Sequence, residues 1–136
     1  MWARVFLAIL FLWAAYINSR SAFISPEIYL EYARLTPVPF YREFILGYFS
    51  IHIMQMVLLV AIGEFFIFLG LLLNNGWVKA ACIGGIIFGL AITPFGVGSA
   101  FPATVSMSVA FLILLRRYKH DFIWNWGQYE NLSRNI

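Results

Sequence analysis

Of the 136 residues in this chain, 62% are hydrophobic, 19% aromatic and 11% charged, and the mean hydropathy is +0.84; a water-soluble domain carries about 25% charged residues. An ordinary soluble domain is therefore excluded, and at about 20 residues per crossing the length holds four or five membrane spans with no room for a second domain. The net charge of +3, nine basic residues against six acidic, is too dispersed for a nucleic-acid surface and reads instead as a topology signal.

The first apolar run, Val5 to Ile17, follows Arg4 and ends in Asn18-Ser19-Arg20-Ser21-Ala22, a stretch that resembles a signal-peptide cleavage region. The bulky Trp13, Tyr16 and Ile17 carry it on to roughly twenty residues. An uncleaved first span over residues 2–21 is the better reading. Residues 22–48 form the long polar connection, an outer loop. Ser25-Pro26-Glu27 starts a short helix, with Ser25 as cap and Pro26 at the first helical position, and that helix must stop before Pro37 and Pro39. From Phe40 to Leu46, aromatic and charged residues alternate as in a helix lying on a membrane surface.

The second span covers residues 49–73 and closes at the turn Asn74-Asn75-Gly76. The third covers 77–93, where Pro94 and Gly96 end it; its Gly85 and Gly89 form a GxxxG that lets another helix approach closely. Gly96 and Gly98 belong to a turn, since a phosphate loop would need a third glycine and a preceding strand. The fourth span covers 100–115. Residues 116–136 form an aromatic tail that opens with Arg116, Arg117, Lys119 and His120 and continues through Phe122, Trp124, Trp126 and Tyr129. Four spans put Arg4, Lys79 and the basic cluster on one side, so the positive-inside rule makes both termini cytoplasmic. The expected fold is an all-α integral membrane protein, a four-transmembrane-helix bundle with a short surface helix in its first outer loop. The expected location is the inner membrane of a prokaryote, with the bilayer and other membrane subunits as partners and no nucleic acid.

Glu64 is the residue that needs explaining. It stands inside the apolar run of the second span, where a charge costs at least ~2.5 to 3.5 kcal/mol. Counting 1.5 Å per residue, it lies about 15 Å from the inner end at Asn74; Ser106 and Ser108 lie at about 12 to 15 Å from Arg116, and Trp13 at about 13 to 14 Å from Arg4. Those three are the expected hydrogen-bond donors. No Lys, Arg or His reaches the same level, so Glu64 is expected as a neutral acid. It is either a clasp between helices or the centre of proton or quinone chemistry. His52 and Gln55, one turn apart near the outer end of the second span, suit a quinone carbonyl or a haem propionate, or simply cap the headgroup layer, the preferred reading. The other histidine, His120, falls on the opposite side, which rules out bis-histidine haem ligation within the chain. Cys82 is the single cysteine, which removes a disulfide relay, a thiolate zinc site and an iron–sulfur cluster.

The run Ile62-Gly63-Glu64-Phe65-Phe66-Ile67-Phe68-Leu69-Gly70-Leu71-Leu72-Leu73, preceded by a loop containing Pro37-Val38-Pro39 and followed by a turn and a glycine-bearing span, resembles the DoxX family of small four-span membrane proteins. The resemblance covers most of the chain, to about Leu115. It implies a membrane subunit associated with a quinone-linked oxidoreductase or electron-transfer complex, similar to the membrane subunits of thiosulfate:quinone oxidoreductase. Glu64 would then be the catalytic residue, with Trp13, His52 and Gln55 as quinone contacts. The alternative is a non-catalytic accessory subunit of a larger respiratory or photosynthetic complex. A small transporter fits less well, since neither inverted repeats nor broken helices are visible.

Overall fold

The computed structural model describes residues 2–74 and 76–118, and over them the chain is helical with no strand. Helix α1 (Trp2–Ile24) leads into a 3₁₀ turn at Pro26–Glu31, then α2 (Tyr32–Leu35) and α3 (Pro39–Phe44). The chain continues through a π-helical turn at Ile45–Phe49 into α4 (Ile53–Leu72), then α5 (Gly76–Ile92), a 3₁₀ stretch at Thr93–Ser99, and α6 (Ala103–Arg117). Three stretches, Trp2–Ile24, Ile53–Leu72 and Gly76–Ser99, are long and apolar enough to cross a membrane. They are compatible with a multi-pass membrane protein. A helix satisfies its own backbone polar groups, which is the condition for lying in hydrocarbon. With 15 residues, α6 is shorter than the ~20 that a perpendicular crossing takes.

Several boundaries differ from the sequence expectation. α1 runs to Ile24, past the polar Asn18 to Ser21 stretch. α4 begins at Ile53, because Gly47 (φ −93°, ψ −107°) and His52 (φ −122°, ψ 29°) leave helical geometry just before it. Ser25 holds the cap position of the 3₁₀ turn without a side-chain cap bond. The aromatic tail beyond Tyr118, with His120, lies outside the described residues.

α1 packs along α4, α4 against α5, and α5 against α6. The buried core between them is Leu7, Phe11, Leu71, Val78, Cys82 and Phe111, and the rings of Phe11 and Phe111 meet edge-on at 5.3 Å. Glycines set the spacing of the α5–α6 contact. A Cβ on Gly85 would run into the Phe111 ring and one on Gly89 into the Ser108 hydroxyl. Many outward residues are as apolar as the core: Ile9 and Trp13 on α1, Leu59 and Phe66 on α4, Ile87 on α5. Burial of apolar surface from water is therefore not what distinguishes inside from outside here. Close packing and hydrogen bonds do that in lipid.

One end of the molecule gathers basic residues. The Arg4 guanidinium, buried at 5% exposure, donates to the backbone carbonyls of Leu71 and Leu73 and lies 5.4 Å from the Tyr118 ring. Those carbonyls belong to the last turn of α4, where acceptors lack helical partners and a cation meets the negative end of the helix dipole. The opposite end is covered by the loop. Thr36 donates its hydroxyl to the Pro94 carbonyl at 2.5 Å, Tyr41 donates to Ala91 at 3.0 Å, and Arg42 donates to Ala33 at 3.1 Å. Gly96, at φ +74°, lets Leu35 of the loop come so close that a Cβ would sit 2.9 Å from its carbonyl oxygen.

Candidate functional site

The carboxyl of Glu64 points into the protein at 2% exposure. α4 carries it on a buried stripe, Val57, Ala61, Glu64, Ile67 and Leu71, whose spacing of three and four residues keeps one helix face inward. Its recorded partner comes from α1. Asn18 Nδ2 donates to both carboxyl oxygens, at 2.9 Å to Oε1 and 2.8 Å to Oε2. Asn18 Oδ1 in turn accepts from the Tyr29 hydroxyl at 2.7 Å. Tyr29 belongs to the 3₁₀ turn of the loop and is folded inward to 8% exposure. Acid, amide and phenol thus link α4, α1 and the loop, and no buried side-chain N or O among the described residues lacks a partner. Burial pushes the Tyr29 phenol above its ordinary range, opposed by a hydrogen bond with Ser21, so it stays a donor at neutral pH.

The donors expected from depth counting are engaged elsewhere. Ser108 donates to the Thr104 carbonyl at 2.9 Å, and Ser106, exposed, to Pro102 at 3.5 Å. Trp13 is 63% exposed, with its ring against Tyr16. Depth counting placed Cα atoms, but a side chain leans toward the N-terminus of its own helix. In antiparallel α1 and α4 the two leans converge. Asn18, about 21 Å along from Arg4 and so about 6 Å outward of Glu64 by Cα level, comes within reach.

The structure does not bring the other expected contacts to Glu64. Gln55 is exposed. The His52 ring stacks on Tyr48 at 4.5 Å, with Nδ1 3.1 Å from the Tyr48 carbonyl oxygen. Neither His52, Gln55 nor Trp13 lines the cavity beside Glu64. That cavity, about 160 Å³, lies beneath the loop; its wall includes Glu64, Asn18, Tyr29, Ile45, Phe88 and Phe95. An apolar cavity of about this size holds one benzene ring. Among the described residues no group of three or more His, Cys, Asp or Glu side chains could hold a metal ion.

A signal for Asn18 is present in the sequence. Arg4, Ala8, Phe11, Ala15, Asn18 and Ala22 recur at spacings of three and four, and all of them but Asn18 are buried. The two polar members of that stripe make the long-range hydrogen bonds at either end of α1. No family model, no curated protein and no solved structure matches the chain.

Proposed function

We propose that this chain is a four-span, DoxX-like subunit of the prokaryotic inner membrane, associated with a quinone-linked oxidoreductase and with both termini cytoplasmic. The supporting observation is the Glu64–Asn18–Tyr29 chain at the wall of an apolar cavity of one-ring size. A quinone ring fits that volume. As a neutral acid, Glu64 carries one O–H to donate to a quinone oxygen, while Asn18 holds the carboxyl in place. Electrons would come from partner subunits. α6 counts as the fourth span because it packs along α5 and turns Val109, Leu112 and Ile113 outward. The basic end with Arg4, Lys79, Arg116 and Arg117 faces the cytoplasm by the positive-inside rule.

The same hydrogen bonds favour a second reading. The three groups already partner one another, which suits a clasp in a non-catalytic accessory subunit. Glu64→Gln separates the two, since an amide keeps one acceptor for the Asn18 clasp but cannot exchange a proton. In native membranes the quinone reading expects a prenylated quinone to copurify with the wild-type chain. It also expects Glu64→Gln to lower quinone-dependent turnover by about 10²-fold or more with assembly intact. Full turnover in Glu64→Gln, or a wild-type preparation free of quinone, would leave the clasp as the answer.

A further inference from the structure

A second space meets Glu64 from the other side. Between α1 and α6 runs a groove of about 550 Å³, walled by Ala3, Leu10 and Ala14 on α1 and by Ala103, Met107 and Ala110 on α6. Glu64, Phe88, Ile92 and Ser99 line both this groove and the ring-sized cavity, so the two adjoin across these side chains. From Ala14 to Ala3 the groove extends about 16 Å along α1. Apart from Glu64 and three hydroxyl side chains, its walls are apolar. It opens sideways, with Ala3, Phe6, Ala103 and Ser106 exposed.

Loop and core pack on the other sides of the acid. Above, the loop is tied down through Thr36 and Tyr41. Below, Phe11, Leu71 and Phe111 fill the core, and Arg4 closes the end of α4. A cavity of about 160 Å³ takes a ring and leaves no space for a tail. The adjoining groove offers a tail room, and its side faces hydrocarbon wherever α1 and α6 cross the bilayer.

We infer that a prenylated quinone reaches Glu64 sideways from the bilayer, seating its ring under the loop and its isoprenoid tail in the α1–α6 groove. This rests on the quinone reading above and adds the tail site and the direction of access. The test compares a tail-less benzoquinone with a long-tailed ubiquinone, each binding to the full chain in nanodiscs. Ala110→Phe fills the groove at a partly buried position, and Ala3→Trp fills its far end at an exposed one that folding tolerates. Wild type is expected to bind the tailed quinone at least about tenfold more tightly than the tail-less one. Both variants should lose that preference while holding tail-less binding within about twofold. Equal wild-type affinity for the two quinones, or variants that keep the preference, would overturn the tail site and leave the quinone reading standing. Wild type binding neither quinone removes the quinone reading itself. A phospholipid or second copy of the chain found in the groove, with no tail preference, also overturns the proposal.

Discussion

The seam between α5 and α6 and the seam between α1 and α6 are both rich in small residues, yet the first is closed and the second open. On the α5 side, glycine faces a protruding partner. The Phe111 ring, fully buried, sits against Gly85, and Ser108 and the Thr104 carbonyl sit against Gly89. On the α1 side, alanines of both helices border a gap of about 550 Å³. A small residue closes an interface when the opposite helix offers a side chain to fill the room it leaves. Two small residues face to face keep a space open. Small-residue content therefore does not by itself separate a packing surface from a groove.

The comparison is sharpest where the closed seam is emptied. Phe111→Ala should remove the ring that fills the Gly85 notch and meets Phe11, costing about 3 to 5 kcal/mol, as read by reversible unfolding in mixed micelles. A loss under about 1 kcal/mol would mean that the α5–α6 seam does not depend on that ring. The next effect comes from pushing the same seam apart. Gly89→Ala places a methyl 3.1 Å from the Thr104 carbonyl oxygen, a backbone atom that cannot swing away, and is expected to cost about 1 to 3 kcal/mol. The smallest effect belongs to the open seam. Ala103→Leu adds far more volume than Gly89→Ala, yet stability should stay within about 0.5 kcal/mol of wild type. If thermal unfolding shows the leucine to be as harmful as the alanine, the α1–α6 seam is not open and the contrast fails.

Much of the architecture could be read from the residues, because the signals there are strong and local. The apolar runs, Pro26 at a helix start, Pro37 and Pro39 after a helix end, and the Gly85/Gly89 pair each act through their immediate neighbours. Glu64 drew attention for the same reason, as a lone acid in hydrocarbon. Its partners were less visible. In the sequence Asn18 falls in the polar end of a span, whereas α1 continues to Ile24, and Tyr29 sits in a loop whose inward fold depends on tertiary contacts with α1 and α4. By sequence alone Arg4 marks sidedness. Its burial depends on where α4 ends, information held about seventy positions further along.

That separation has a consequence in time. The two carbonyls that accept from Arg4 are 67 and 69 positions later in the chain, so α1 is made before its partner helix. While the ribosome is still building α4, those acceptors do not exist, and the Arg4 contact to them cannot form. Completion of the second long helix gives the guanidinium its two carbonyls. A contact at the start of α1 thus waits on the last turn of α4.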